Sequence, residues 1–427
     1  MTPDRLLKAL FEAAVQAALP SYRVPPFLPS PPTGRTVVVG MGKAAAAMAQ
    51  AVESGWQGPL SGLVVTRYGH RVPTQHIEVV EAGHPVPDEN GARAARRILD
   101  LVAGLGPEDL VICLISGGGS ALFTLPPVGI ELATLSDLSR QLLKSGAAID
   151  QMNAVRKSLS QSSGGRLAAA AYPAQVVSLI ISDVPGDELG AIASGPTVGD
   201  AITPQTALDI LQAYKIAVPP SVIDHLTAGR DPVIQPSDPR LQTTQNHLIA
   251  TPQQSLEAAA QVAKVNGVTP VILGNALEGE AQDVGKVHGG IAKQICYHQQ
   301  PIAPPCVLLS GGETTVTLSG KGGKGGRNGE FLLALVQSLW AESSLWQENR
   351  LYALAADTDG IDGVEDNAGA LFTSTHYQRA HAQALSPSAF LDAHDSYTFF
   401  EAVDALVMTG PTLTNVNDFR AILIDAE

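Results

Sequence analysis

Cysteine, aromatic side chains and charge are all scarce in this chain. Its three cysteines, Cys113, Cys296 and Cys306, lack the spacing of metal ligands, and a sparse, odd count is typical of reduced thiols in a cytoplasmic protein. No run approaches the roughly 20 apolar residues that a bilayer crossing needs. Near the N-terminus, Lys8 and Glu12 interrupt an apolar helical face, which predicts a surface helix instead of a signal peptide. We therefore expect a cytoplasmic protein with no membrane partner.

An excess of basic charge is also missing. The formal net charge is −14, which argues against a nucleic-acid partner. An anionic ligand would therefore need a local cluster of cations within an acidic protein. With 427 residues, 45% of them hydrophobic, the chain is long enough for two well-packed domains.

Short apolar runs alternate with Ala-rich helical stretches through the first half of the chain. The alternation is typical of βαβ units and predicts a doubly wound, mostly parallel sheet in a Rossmann-like α/β domain over residues 1–240. A second α/β domain over residues 241–427 is expected to have a mixed sheet, because a strand at 314–318 follows Leu309 too soon for a crossover. The predicted strands of the first domain are 36–40, 62–66, 77–81, 110–115 and 176–181, and one long helix is expected over 150–171.

Glycine-rich segments follow several of these strands. Open α/β sheets bind ligands at the carboxyl ends of their strands, where glycine lets the backbone approach a ligand closely. The segment Gly40-Met41-Gly42-Lys43-Ala44-Ala45 matches the relaxed dinucleotide fingerprint G-x-G-x-x-A. The next strand, however, ends at Arg67 and lacks the carboxylate that NAD binding requires. Lys43, expected in the first turn of a helix, is instead placed to join the helix N–H groups on one phosphate or carboxylate.

A second tight turn lies between a strand and a helix. Successive backbone N–H groups in such a turn form a nest that suits an anion. No Walker A pattern occurs in the sequence, so P-loop chemistry is excluded while phosphate binding is not. A plain turn is the structural alternative. The residues expected to bind phosphate are Ser116, Gly117, Gly118, Gly119 and Ser120.

Cations and carboxylates complete the candidate site. The segment 321–327 carries Lys321, Lys324 and Arg327 on glycines, and such a loop is suited to close over a polyphosphate, with a solvated loop as the alternative. Phosphoryl transfer needs Mg²⁺, which one or two carboxylates hold together with phosphate oxygens. Asp183 and Asp187, just after a strand, are favoured as ligands over the acidic stretch 357–366, which departs from the pattern of a calcium loop.

A collinear series of segments then covers nearly the whole chain: 39–44, 83–87, 115–121, 153–157, 182–187, 193–197, 310–317, 325–331, 358–363 and 409–418. Together these segments resemble the motifs of the class II glycerate 2-kinase family, whose older label is hydroxypyruvate reductase. The resemblance implies two α/β domains with the active site in the cleft between them. It also implies phosphorylation of D-glycerate at its 2-hydroxyl, which requires ATP and Mg²⁺ and gives 2-phosphoglycerate.

The family's essential basic residues correspond here to Lys43 and Arg327. We expect these catalytic cations to neutralise the transferring phosphoryl group or the glycerate carboxylate, because cations placed in advance stabilise charge that develops during transfer. Asp183 and Asp187 would hold Mg²⁺. The resemblance further leaves open a homodimer. The remaining residues expected to bind substrate or phosphate, besides the turn at 116–120, are Arg156, Lys324 and Asn417.

The chain departs from the family pattern at three positions. Ser158 stands where the family usually has histidine, Ser163 where it has lysine, and Gly329 where it has glutamine. Loss of a cation from an anion site costs on the order of 2–4 kcal/mol unless another group compensates. Two alternatives to the kinase therefore stay open: an NAD(P)-dependent hydroxypyruvate reductase and a non-catalytic anion-binding sensor. Consumption of ATP distinguishes the kinase from the sensor, and oxidation of a nicotinamide identifies the reductase.

Overall fold

Two six-stranded sheets form the framework of this computed structural model, which describes residues 1–318, 320, 322–348 and 350–426, without the side chains at 143, 144 and 149. The chain divides into two compact units. The parallel-sheet unit contains Pro20–Asp183 and Asp187–Ile249. The mixed-sheet unit contains Met1–Leu19, Val184–Gly186 and the chain from Ala250 onward.

The parallel-sheet unit has the predicted doubly wound α/β architecture. Its strands are β1 (Thr36–Met41), β2 (Ser61–Arg67), β3 (Ile77–Ala82), β4 (Leu110–Ile115), β5 (Gln175–Ile181) and β6 (Thr244–Ala250), in the order β3-β2-β1-β4-β5-β6. β1 pairs in parallel with both β2 and β4, so the strand order reverses between β1 and β4. Both strands are apolar and buried along their whole length, because helices cover both faces of such a sheet.

The helices of this unit connect successive strands. They are α2 (Pro20–Arg23), α3 (Ala45–Gly55), α4 (Glu89–Val102), α5 (Gly119–Leu122), α6 (Leu132–Ser145), α7 (Ile149–Ser158), α8 (Arg166–Ala171), α9 (Pro204–Ala213) and α10 (Pro220–Thr227). The single helix predicted over 150–171 is wrong. Gly164 and Gly165 adopt left-handed φ angles of 59° and 79°, so the chain leaves α7 and restarts as α8.

The mixed-sheet unit confirms the prediction that the second domain has a mixed sheet. The strand that makes this sheet mixed, however, is not the one that was expected. Its strands are β7 (Thr269–Glu280), β8 (Cys306–Thr315), β9 (Leu351–Asp357), β10 (Gly369–Phe372), β11 (Leu406–Val407) and β12 (Asp418–Ile424), in the order β11-β10-β9-β12-β8-β7. β7 and β8 are parallel, whereas β12 lies between β8 and β9 and is antiparallel to both. The expected strand at 314–318 is wrong, because Thr314 and Thr315 continue β8.

Helices pack on both faces of the mixed sheet. They are α1 (Pro3–Gln16), α11 (Pro252–Val265), α12 (Ala281–His298), α13 (Arg327–Ser338), α14 (Ser343–Gln347), α15 (Ser374–Ala382), α16 (Pro387–Asp392) and α17 (Ser396–Ala402). α11 begins at Pro252 behind Thr251, whose hydroxyl accepts the N–H of Gln254 at 3.2 Å and caps the helix.

The division into units differs from the predicted boundary at residue 240 in two places. Helix α1 belongs to the mixed-sheet unit, where its buried face packs against α11 and β12, with the rings of Phe11 and Phe419 5.7 Å apart. Strand β6 extends the parallel sheet instead of opening the second domain, since Val176 donates its N–H to the carbonyl of Thr243. The boundary between the two units therefore depends on which distant segments bury the apolar face of α1 and pair with β6. The local amino-acid composition does not indicate those partners.

The structure describes all three cysteines and the helices that could be compared with a membrane span. All three cysteines are buried free thiols. Burial raises the pKa of the Cys306 thiol to about 11, so it stays protonated near neutral pH. Within the described part of the chain, none of the helices combines the length and apolar character that a bilayer crossing requires.

Candidate active site

Two glycine-rich turns meet at the carboxyl ends of β1 and β4. The N–H of Lys43 donates to the carbonyl of Gly117 at 2.8 Å, and the N–H of Ala44 donates to the Ser116 hydroxyl at 3.0 Å. A Cβ atom at Gly42 would lie 2.3 Å from that hydroxyl oxygen, so only glycine fits there. The Ser116 hydroxyl and the Gly117 carbonyl thus bind the neighbouring turn and fix it at the switch point of the sheet, where open α/β sheets bind ligands.

Lys43 lies in the turn directly before α3, not in the first helical turn as predicted. Its carbonyl accepts the Thr66 hydroxyl at 3.2 Å, so both backbone polar groups of the residue are held. The side chain runs beside Gly118, because a Cβ atom at Gly118 would lie 3.3 Å from the Lys43 Cγ and 2.9 Å from the His84 ring. Lys43, His84 and the 116–120 turn are therefore one local cluster.

A cavity of about 410 Å³ lies within the parallel-sheet unit at this cluster. Three of the predicted phosphate-binding residues, Gly118, Ser120 and Arg156, line it together with His84 and Ser163. The Ser120 hydroxyl is 2.9 Å from the hydroxyl of Ser194, which also lines the cavity. Close packing explains the glycine at 119, where a Cβ atom would lie 2.5 Å from that of Ala193.

Two cations line this cavity, and one of them, Arg140, is exposed and paired with Asp137 at 2.5 Å, which leaves Arg156 as the other. Burial lowers the pKa of its guanidinium, because the charged form loses hydration. The two basic residues nearby are already satisfied: Lys157 donates to Asp200 at 2.6 Å, and Arg166 donates to the Ser163 carbonyl at 2.8 Å. Among the described residues, no hydrogen bond or ion pair is made by the Arg156 guanidinium. A partly buried cation without a counter-charge is suited to bind an anion.

The predicted metal ligands follow β5, the neighbour of β4. The Oδ1 atom of Asp187 is buried and has no hydrogen-bond partner within the described residues, which leaves this oxygen available for a cation. In the same part of the chain, no three His, Cys, Asp or Glu side chains come together as a metal cage. Mg²⁺ commonly takes only one or two carboxylates and completes its shell with phosphate oxygens and water. The buried Oδ1 of Asp187 is therefore compatible with such an ion, while the pairing of Asp183 with Asp187 as its ligands stays a prediction.

Arg327 is the centre of the second cluster, in the mixed-sheet unit. Its Nε donates to Asp418 at 2.6 Å, its Nη1 to Glu313 at 3.0 Å and its Nη2 to Asp357 at 3.0 Å. Burial favours the neutral form of the guanidinium, but the three carboxylates raise the pKa of Arg327 well above its ordinary value. The guanidinium of Arg327, a fork of three nitrogen donors, is therefore charged and held in a fixed orientation.

Asp418 connects this fork to the sheet, and the analysis of the sequence did not single it out. One carboxylate oxygen accepts from Arg327 and, at 2.8 Å, from Asn328; the other accepts from Arg420 and, at 3.2 Å, from the N–H of Thr314. Burial alone would raise the pKa of Asp418, but the two arginine charges lower it below its usual value. The signal was present: Asp418 and Arg420 stand two apart at the start of an otherwise apolar strand and so share one face.

Asp362 holds the start of α13. Its two carboxylate oxygens accept the backbone N–H groups of Asn328 at 2.9 Å and Gly329 at 2.8 Å. A Cβ atom at Gly329 would lie 2.7 Å from the hydroxyl oxygen of Ser396, which gives a steric reason for glycine where the family usually has glutamine. The carboxylate of Asp362 thus sets the direction in which Arg327 leaves the helix.

Protonation of Asp362 is expected to appear in the pH dependence of stability. Burial, opposed by its two backbone hydrogen bonds, raises the pKa of this carboxyl to about 6. The folded protein then binds more protons than the unfolded chain between about pH 4 and 6, so this group's contribution falls by about 3 kcal/mol as pH rises through that window. We expect Asp362→Asn to remove this loss in urea denaturation from pH 4 to 7. The exposed control Asp392→Asn should follow the wild type, and an identical loss in Asp362→Asn would contradict the assignment.

The other predicted residues of the second cluster lie near its edge. Lys324 is exposed, with its ammonium 5.7 Å from the centre of the Tyr397 ring, and its N–H donates to Asp395 at 3.0 Å. Asn417 is buried directly before Asp418, and its carbonyl accepts the Thr358 hydroxyl at 2.7 Å. Lys321 lies outside the described residues. The structure therefore groups Arg327 with Asn417 and its neighbours, while the role of Lys324 stays a prediction.

Several known proteins are similar to this chain over most of its length. The sequence matches a domain of unknown function, DUF4147, over residues 6–227, and the MOFRL family over residues 306–418. A relative from Agrobacterium vitis with the provisional name hydroxypyruvate reductase is 51% identical over 98% of this chain and 94% of its own. Glycerate 2-kinase of Pyrococcus horikoshii is 42% identical over 92% and 88%. The crystal structure of glycerate kinase from Thermotoga maritima aligns with a TM-score of 0.87 at 38% identity, over 99% of both chains.

Proposed function

Because this chain belongs to the glycerate kinase family, we propose that it transfers a phosphoryl group from ATP to the 2-hydroxyl of D-glycerate. The observation that carries the proposal is the guanidinium of Arg156, which is partly buried, lines a cavity with Gly118 and Ser120, and has no counter-charge among the described residues. Both substrates of a glycerate kinase are anions. A cavity lined by a guanidinium without a counter-charge suits these anions.

The cations are given separate roles. Lys43, held at both backbone groups, would stabilise the charge of the transferring phosphoryl group from the parallel-sheet unit. Arg327 would do so from the mixed-sheet unit, with an orientation set by Asp418 and Asp357 before any substrate arrives. Asp183 and Asp187 would hold Mg²⁺, which when bound neutralises charge on the phosphate oxygens. A position of the active site between the two units stays a prediction.

Two observations favour the reductase as a second candidate. The Agrobacterium vitis relative carries that name, and the turn after β1 matches the relaxed dinucleotide fingerprint. β2 ends at Arg67, where binding of the NAD ribose calls for a carboxylate, although an arginine at this position suits the 2′-phosphate of NADP. Against the reductase, the cationic segment that ends at Arg327 is one that a Rossmann dehydrogenase does not need.

Phosphorus NMR of the purified protein with ATP, Mg²⁺ and D-glycerate tests the proposal. The expected result is the signal of 2-phosphoglycerate, distinct from that of 3-phosphoglycerate, growing as ATP is converted to ADP. A parallel reaction with hydroxypyruvate and NADH or NADPH should leave the nicotinamide absorbance unchanged. Absence of a phosphorylated product from the folded protein would reject the kinase. Oxidation of the nicotinamide would then establish the reductase, and inertness in both reactions would favour the anion-binding sensor.

Gly118 provides a test with a closely matched control. Its φ of +79° and the nearby His84 and Lys43 side chains exclude a larger residue, whereas Gly104 has a φ of +75° and nothing within 4 Å of its missing Cβ. An alanine at either position costs roughly 1–2 kcal/mol of stability, because L-residues disfavour the left-handed region. Only Gly118→Ala should also lower kcat for 2-phosphoglycerate formation, by about tenfold or more. Equal kcat values in Gly118→Ala and Gly104→Ala would show that the turn does not act on Lys43.

A further inference from the structure

The cavity beside Arg156 is too large for glycerate alone. Its volume is about 410 Å³, whereas one water needs only about 10–15 Å³ on the same measure. A three-carbon hydroxy acid has about seven non-hydrogen atoms and, at about 15 Å³ for each, would fill roughly a quarter of that space. The lower end of the size range of drug-sized ligand pockets, roughly 300–1,000 Å³, includes this cavity. A larger molecule than the phosphoryl acceptor is therefore needed to occupy it.

The walls of the cavity divide by chemistry. Apolar side chains from four segments contribute one part: Val86, Phe123, Leu135, Leu138 and Leu159. Gly118, Ser120 and Arg156 contribute an anion-binding part, and in the described portion of the chain no carboxylate lines the cavity. A second lining cation, Arg140, stands on α6 and is paired with Asp137. The hydroxyls of Ser136 and Ser139 on α6 lie among the apolar residues and can each donate or accept a hydrogen bond.

A ligand that matches both parts has an anionic end and a flat apolar end with polar edges. A small polar acid such as glycerate would leave the leucine and phenylalanine walls without apolar contacts. A nucleotide matches, because its phosphates are anionic while its base presents apolar faces and hydrogen-bonding edges. The cavity also adjoins the loops that follow β3 and β4, at the edge of the sheet where open α/β proteins bind nucleotides.

We infer that this cavity binds the nucleoside of the phosphoryl donor, a nucleoside triphosphate, with the donor's phosphates against Arg156 and the turn at Gly118 and Ser120. The inference rests on the proposed function, since it assigns one of that reaction's two substrates to a defined part of one unit. The acceptor then binds outside the apolar part of the cavity.

Tryptophans introduced on α6 test binding of the nucleoside separately from binding of the phosphates. Ser136→Trp and Ser139→Trp place a large ring at partly exposed positions that line the cavity, so the apolar core beneath α6 is left intact. Calorimetric titration of the full chain with Mg²⁺-ADP should show that each variant raises Kd by about tenfold or more. Inorganic pyrophosphate, which lacks the nucleoside, should bind each variant as it binds the wild type. Ala133→Trp, exposed on the same helix and outside the lining, should change neither titration.

Arg156→Met supplies the complementary result. It should weaken the binding of both ADP and pyrophosphate. The control Arg230→Met, at an exposed position of the same unit, should weaken the binding of neither. In steady-state kinetics the α6 variants should raise KM for ATP and change KM for D-glycerate by less than about twofold. Failure of the wild type to bind ADP, or unchanged ADP affinity in both α6 variants, would overturn the inference. So would a rise in KM for D-glycerate alone, which would assign the cavity to the acceptor. These titrations decide the inference even if no 2-phosphoglycerate forms, an outcome that rejects the proposed function separately.

Discussion

Lys43→Met should lower kcat for 2-phosphoglycerate formation by about two to three orders of magnitude, or about 2.7–4 kcal/mol of transition-state stabilisation. Methionine keeps most of the length of the side chain and removes only its charge. The backbone of residue 43 is held by hydrogen bonds to Gly117 and Thr66, so the turn should keep its position in the variant. A charge held in place before the reaction needs little reorganisation as the phosphoryl charge spreads, and this is why the expected effect falls on kcat.

Initial rates at saturating ATP and D-glycerate, with circular dichroism as a check on folding, measure the effect. The matched control is Lys264→Met, the same substitution at an exposed position of α11 in the other unit, which should keep the wild-type kcat. If Lys43→Met instead raised only the KM for one substrate and left kcat unchanged, Lys43 would bind that substrate equally in the ground state and transition state. That result would remove Lys43 from the catalytic group without affecting the fold.

Local patterns in the sequence were sufficient for the parallel sheet and for the turns at its edge. β1 and β4 are continuous apolar runs that end in glycine, and each of these features has a local cause: burial on both faces for the run, and close backbone approach for the glycine. Lys43 and the 116–120 turn were both expected at the carboxyl ends of parallel strands, and these ends share one edge of a sheet. The structure places them in contact through the hydrogen bond from Lys43 to Gly117.

Features that depend on distant segments could not be predicted in this way. Helix α1 is amphipathic in sequence, but nothing local indicates that its apolar face packs against α11 and β12, more than 200 residues away. The break between α7 and α8, which brings Ser163 to the cavity, depends on two glycines that a helix can also tolerate at a cost. Of the two serines that replace family cations, Ser163 lines the cavity, whereas the Ser158 hydroxyl donates to the Ala154 carbonyl within α7.

Asp418→Asn should have the largest effect on stability, lowering the free energy of unfolding of the mixed-sheet unit by about 3–5 kcal/mol. The Asp418 carboxylate is completely buried and accepts hydrogen bonds from Arg327 on one oxygen and from Arg420 on the other. Asparagine keeps the shape but turns one acceptor into a donor, so an amide N–H₂ must face either one arginine or the other. It also removes the charge that both buried guanidinium groups need, and within the described residues Arg420 has no other carboxylate in an ion pair.

Urea denaturation followed by tryptophan fluorescence measures this loss, since Trp340 and Trp346 both belong to the mixed-sheet unit. Asp283→Asn is the control, because it removes one partner of an exposed ion pair with Lys286 and should cost less than about 1 kcal/mol. The pKa of Asp418 is lowered in the folded state, so its contribution is present above its ordinary pKa of 3.8 and disappears as pH falls through the lower folded value. The difference between wild type and Asp418→Asn should therefore shrink below about pH 4. A difference that is small at pH 7, or that stays constant into acid, would show that the charge of Asp418 does not hold the two arginines, and that the fork of Arg327 is fixed by Asp357 and Glu313 instead.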